Sequence, residues 1–350
     1  MATPNIVPRA DSEGGLGTAS KYWASAYIDA ITTTGNVTVG GLVSGASSYN
    51  GIPFYSSGTS MYTHDVSVTD NNANNNSAYG FTAMDAITTG DYNTVMGYGG
   101  GSALTTGEQN VVMGAFALGS AVTSAQNVAI GYAAMGNADG GEAKNVAVGY
   151  NALNELNSTA DNYNVAVGFE AGKKVSTGVY NVLIGATAGD AITTAEKNIA
   201  IGYGALGAED THGRNIAIGD SALLVLNAGA YGYNVAIGHE AGAAMSTGVQ
   251  NTLMGGLAGD ALTTGNYNIA IGHTALSTED TGNKSVAIGH QALLNQNYDG
   301  DAFNTAVGHN VGAAITSGAE NTLMGGLAGD ALTTGQRNTA IGTYALGADT

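Results

Sequence analysis

Cysteine is absent from the 350 residues, which excludes a disulfide framework and any thiolate metal site. Proline occurs three times, at Pro4, Pro8 and Pro53, so beyond residue 76 no residue gives up its backbone N–H to a proline ring. Charge is scarce at 10%, and nine Lys and Arg face 27 Asp and Glu, a net charge of −18. Phosphate contacts need cations, so a nucleic-acid partner is not expected. No run approaches the ~18 apolar residues of a membrane span, and membrane insertion is not expected either. The opening stretch MATPNIVPRADSEGG lacks the apolar core of a secretion signal, so the chain is expected to reach its destination without a translocon. Low charge combined with 44% hydrophobic residues is the reverse of a disordered composition.

What fills the space is glycine, 55 residues of it, and a repeat. Sixteen times from Asn76 onward the chain restarts one phrase: Asn, usually a β-branched residue, a small apolar residue, a larger apolar residue, Gly. The closing glycines run from Gly80 to Gly342 without replacement, mostly 17 residues apart and otherwise 18 or 19. A short period sustained this long predicts a solenoid: an all-β parallel β-roll of about sixteen coils over 76–350, one strand per phrase. The stretch 46–75 is expected to be a β-rich adaptor, and 1–45 a small attachment region. A slower rhythm of 70 residues overlies the coils, with Asn164, Asn234 and Asn304 opening equivalent blocks, as duplication of a four-coil unit would leave. At ~4.8 Å per strand, fifteen steps make a rod of roughly 70 Å.

Residues alternate sides along a strand, so in Asn127-Val128-Ala129-Ile130-Gly131 the pair Val128 and Ile130 is expected to face the interior of the roll. Ala129 then faces the other way. Its position is never polar: it is Ala in eleven coils, Val in two and Leu in three. The expectation is therefore a strand buried on both faces, with the small residues covered by another copy of the chain. The self-interface assigned on this ground is Ala129, Ala147, Ala166, Leu183, Ala200, Ala217, Ala236, Leu253, Ala270, Ala287, Ala306, Leu323 and Ala340. The closing glycine marks a corner where positive φ or tight clearance excludes a Cβ. The leading Asn, replaced only by Ser285, either forms an amide ladder between coils or bonds its own turn backbone.

The Asn-x-Ala-Ile-Gly phrase with its following Ala resembles the repeat of trimeric autotransporter adhesin heads, whose period is shorter. The resemblance implies a left-handed roll assembled as a homotrimer around a three-fold axis. The N-terminal segments Pro8-Arg9-Ala10-Asp11, Gly15-Leu16-Gly17-Thr18-Ala19-Ser20-Lys21-Tyr22-Trp23 and Thr34-Gly35-Asn36-Val37-Thr38-Val39-Gly40 resemble a part of tailed-phage fibre proteins, especially those of marine T4-like phages, that lies towards the virion. This second resemblance implies a virion appendage, assembled in the host cytoplasm. It would bind other tail, baseplate or fibre proteins through its N-terminal region (Trp23 and Tyr27 the attachment residues), with a host surface glycan or protein as possible receptor. The alternatives from other classes are a surface adhesin head and a glycan-degrading tailspike.

Chemistry-bearing residues are thin on the ground. His239, His273, His290 and His309 follow the corner glycine and are the weak metal candidates; Tyr and Phe at equivalent positions point to packing instead. Asp190, Asp260 and Asp330 recur in Gly-Asp-Ala turns without the Gly-rich pattern of calcium-binding rolls. Tyrosines such as Tyr132, Tyr150, Tyr163 and Tyr180 cluster at corners, where they cover coil edges or contact sugar or protein. No nucleophile elbow, phosphate loop or paired catalytic carboxylates are found, so the expectation is a structural protein with no catalytic residues and no cofactor.

Overall fold

The computed structural model describes the backbone of Ser47–Tyr49 and Ile52–Ser57, residues 60–63, and residues 71–347. The chain divides into two units, Met1–Gly45 and Ala46–Thr350. The attachment region 1–45, with Trp23 and Tyr27, lies outside the described residues. Three short strands, β1 (Ser47–Tyr49), β2 (Ile52–Ser57) and β3 (Ser60–Tyr62), pair antiparallel in sequence. The edge of β3 then receives β4 (Ser77–Tyr79) in parallel, and this switch starts the roll. From β4 to β19 (Thr339–Ile341) every strand is three residues long and stacks parallel on the one before. Register is exact in phrase position: Val128 lies opposite Val146, Ala129 opposite Ala147, Ile130 opposite Val148. The described residues contain no helix. The fold is the all-β parallel solenoid of about sixteen coils that the period predicts.

The faces of the strand are the opposite of those expected. Ala129, Ala147, Ala166, Leu183, Ala200, Ala217, Ala236, Leu253, Ala270, Ala287, Ala306, Leu323 and Ala340 point into the coil and are 0–4% exposed in the single chain. They are core, and no partner can reach them; the interface assigned to this stripe is corrected accordingly. Val128 and Ile130, with their counterparts, point outward and stay half-exposed. The reason is size. A 17-residue coil encloses too little cross-section for two columns of β-branched residues, but it holds one column of methyl groups and a few leucines.

That interior is filled by trading volume within the coil. Where the strand centre is Leu183, the position four after the corner is Gly189, and a Cβ there would lie 2.7 Å from Leu183 Cδ2. Where the centre is Ala200 or Ala217, the same position carries Leu206 or Leu223, both fully buried. Where both are small, as with Ala236 and Gly242, the leucine of the next coil fills the gap (a Cβ on Gly242 would lie 2.7 Å from Leu253 Cδ1), so volume is traded between coils as well, at native density. Ala134 and its equivalents, three residues past the corner, complete the inner wall.

The corner glycines meet both conditions set by sequence. Their φ values run from +121° to +147°. From Gly80 to Gly325, an added Cβ would sit 2.1–2.6 Å from a backbone atom of the next coil's corner glycine.

The leading asparagines form a buried rail between coils. Most of their backbone N–H groups donate to the Oδ1 of the Asn one coil earlier, at 2.8–3.0 Å from Asn93 to Asn145. Nδ2 commonly donates to the same Oδ1 and to a turn carbonyl in the following coil, as Asn110 does to Asn93 and to Ser124. At Ser285 the missing amide is replaced from elsewhere: Gln296 Nε2 donates to Ser285 Oγ (2.8 Å), and its Oε1 accepts from Asn304 Nδ2 (2.8 Å). Truncating one rung strands its neighbours. Asn181→Ala leaves the Asn198 N–H and the Ala195 carbonyl without their bonds from this side chain. At about 1–3 kcal/mol for each buried group left unpaired, a loss of roughly 3 kcal/mol is expected in chemical denaturation.

Candidate interaction surfaces

Three exposed strips run along the roll, each set by its place in the phrase. The outward strand face is the first. Its two columns carry Val, Ile or Met at most rungs, with Thr at Thr94, Thr252, Thr305, Thr322 and Thr339. Exposure reaches 49% at Met96, 41% at Val111 and 48% at Met324. β-branched residues favour such a pleated surface, and here nothing in the single chain covers it.

The second column follows the corner glycine. Phe81, Tyr98, Tyr132, Tyr150 and Phe169, with Phe116 from one position further on, form an unbroken series of rings 5.2–6.0 Å apart. Three of these contacts are stacked and the two of Phe116 are edge-to-face, and all of them tie coil to coil along its edge. Further along, His273, His290 and His309 stack with centroids 5.7 and 5.0 Å apart and interplanar angles of 12° and 8°. Parallel planes at this separation cannot both contain one ion, so neighbouring imidazoles do not converge as ligands. His239 stands outside the stack, beyond Gly256, with Nε2 3.7 Å from Glu240. Among the described residues no group of three or more His, Cys, Asp or Glu could hold a metal ion. Asp190 and Asp260 lie far apart along the roll, and burial raises the pKa of each above the ordinary carboxyl value.

The third column precedes the rail Asn, and sequence reasoning missed its character. Lys144, Tyr163, Tyr180, Lys197, Arg214, Tyr233 and Lys284 all adopt φ between +50° and +63° or, for Arg214, +68°. A left-handed residue here swings the chain into the rail, at a cost of about 1 kcal/mol each. Most cations of the described chain stand in this column, paired locally. Lys144 binds Asp161, Arg214 binds Glu196, and Lys284 binds Asp301. Hydrogen bonds from these cations hold Asp161 and Glu196 below the usual carboxylate range. Arg214 also lies 4.1 Å from the Tyr231 ring centre, and Lys144 5.2 Å from that of Tyr163.

The structure adds three carboxylates that sequence reasoning did not single out: Glu142, Glu209 and Glu279 are 0% exposed. Glu209 and Glu279 occupy the interior position, seven past the corner, that Ile192 and Leu226 fill in other coils. That column could have been read from the 17-residue alignment of the coils. No cation faces Glu209, and burial pushes its carboxyl up to about 7, opposed by hydrogen bonds from Ala228 and His212. Burial raises Glu279 in the same direction, against bonds from Gln296, Gly282 and Tyr298.

Among the described residues no helix is long and apolar enough to cross a membrane. Searches against protein-family models, curated proteins and solved structures found no match to this chain.

Proposed function

We propose that this protein is a structural segment of a virion appendage, a homotrimeric tail fibre or related fibre that projects from a phage particle and contributes to host attachment. The observation that carries the proposal is the outward strand face. Fifteen steps of ~4.8 Å by a width of ~10 Å make an apolar strip of roughly 700 Å². This exceeds the largest patch of a typical monomer, about 300–600 Å², and approaches the ~800 Å² that each partner buries in a standard interface. Three such strips facing a common axis would bury one another along their whole length, the arrangement implied by the resemblance to adhesin heads. The long rigid roll, its acidic surface and the N-terminal resemblance to phage fibres favour a spacer over an enzyme. Attachment to other tail, baseplate or fibre proteins is assigned to the N-terminal region, and contact with a host glycan or protein to the roll.

Ile216→Glu with Ile218→Glu puts charge on the outward face of one strand and leaves the interior intact. The expected result is a folded chain, by circular dichroism, whose native mass falls from trimer to monomer. A wild-type chain that is monomeric at micromolar concentration defeats the trimer. Antibody against a turn near the last coil is expected to label fibres on intact virions; labelling of a bacterial surface instead would favour an adhesin.

A further inference from the structure

We propose that the roll carries pH-responsive joints at Glu209 and Glu279, formed where a buried glutamate ties the enlarged turn of a 19-residue coil to the coil before it. The three 19-residue coils end at Gly168, Gly238 and Gly308, four coils apart. Two extra residues push their turns out of the ladder followed elsewhere, and in each case a carboxylate of the preceding coil captures a backbone N–H of the displaced turn. Glu142 Oε1 accepts from Ser158 N at 2.9 Å, Glu209 Oε2 from Ala228 N at 3.3 Å, and Glu279 Oε2 from Tyr298 N at 3.2 Å. The same carboxylates hold their own turns, through Gly140 N, His212 N and Gly282 N respectively. Polar side chains assist two of them: Ser124 Oγ donates to Glu142, and Gln296 Nε2 to Glu279.

Glu209 has neither aid. It is the most exacting of the three, since among the described residues its two backbone bonds are its only hydrogen bonds. The rail is also weakest beside it: Nδ2 of Asn198 and of Asn215 are buried without a hydrogen-bond partner. The charged groups around it offer no compensation. Asp210 is adjacent and of like sign. His212 turns Nδ1 to Thr211 Oγ1, and Arg214 is engaged by Glu196 and Tyr233. At Glu279 the neighbouring charge is Asp280, again of like sign, and Lys284 is held by Asp301.

The direction follows from the sign of the perturbation. A carboxyl whose folded pKa lies above its unfolded value favours the closed turn fully below about 4.5, the unfolded value. That contribution is lost as pH rises through about 7, the folded value for Glu209. The joint therefore tightens in acid and loosens above neutrality. It belongs to the single chain and does not depend on the fibre reading.

Amide exchange of the full native protein, corrected for intrinsic rates, reads the joint directly. Protection at His212 and Ala228 is expected to fall by up to about two orders of magnitude between pH 5 and pH 8. In Glu209→Gln it should be flat over that interval, whereas Glu279→Gln should leave these two amides as in wild type. Unchanged wild-type protection, or the same fall in Glu209→Gln, overturns the proposal. Should that variant not fold, carbon-13 titration of the Glu209 carboxyl in the wild-type chain decides: a midpoint near 7 supports the joint, and an ordinary glutamate midpoint overturns it.

Discussion

Gly219→Ala is expected to break the roll at its coil, at a cost of about 2–6 kcal/mol. Two effects add. The residue sits at φ +139°, a region that only glycine occupies without strain of about 1–3 kcal/mol. Its new Cβ would also lie 2.3 Å from the carbonyl oxygen of Gly238 and 2.6 Å from the carbonyl carbon. Neither atom can retreat. Gly219 N–H is bonded to Ile201 O at 2.7 Å and Gly238 N–H to Ile218 O at 2.8 Å, so each corner is pinned to its neighbours. Overpacking against fixed backbone adds a further ~1–3 kcal/mol. Because each coil contacts only its neighbours, the break should divide one unfolding transition into two. Gly229→Ala is the control. Its φ of +64° is also left-handed, yet nothing lies within 4 Å of the added carbon, and about 1 kcal/mol is expected. Equal denaturation midpoints for the two variants would refute the close approach of the corners.

Ala217→Glu should abolish folding of its segment, not merely association. Ala217 is fully buried and lies in register between Ala200 and Ala236. The strand's N–H and C=O groups are committed to the parallel ladder on both sides, leaving no donor for a carboxylate. An uncompensated charge buried there costs about 4 kcal/mol or more. Glu209 is no counterexample, because His212 of its own coil and Ala228 of the next each direct a backbone N–H at it. The measurement is the far-ultraviolet β signal together with native mass. A variant that keeps the wild-type signal and only fails to assemble would return the alanine stripe to an interface. Loss of the signal, beside a folded Ile216→Glu, Ile218→Glu variant, places alanine inside and isoleucine outside.

Much of this fold was legible because a repeat multiplies weak signals. One Asn-x-Ala-Ile-Gly phrase says little. Sixteen in register require that each position meet its own copy one strand spacing away, and that requirement fixes the parallel stacking. The glycine corner and the asparagine rail were readable for the same reason, since few residues tolerate a copy of themselves directly above. The rail proved to run between coils, with Nδ2 reaching the next turn, so the own-backbone reading holds only for contacts such as Asn145 Nδ2 to Ala143 O. The stack of His273, His290 and His309 was visible as a column in the sequence, but the angle between the rings was not. The left-handed residues before each Asn escaped notice because Lys, Tyr, Gln and Arg carry no turn signature.

The sequence by itself determined that the chain is a parallel roll, how many coils it has, where each corner falls and which residues lie over one another. All of these follow from periodicity, a property of the chain alone. Only the tertiary structure decided which side of the strand is inside. Alternation assigns residues to two faces without saying which is enclosed, and the usual preference for burying the larger residues misleads in a coil this narrow. The choice belongs to curvature: a closed 17-residue loop leaves room on its concave side for Ala217 beside Leu223, and turns Ile216 and Ile218 outward. The buried glutamates were decided in the same way, by which turn had a backbone N–H to spare.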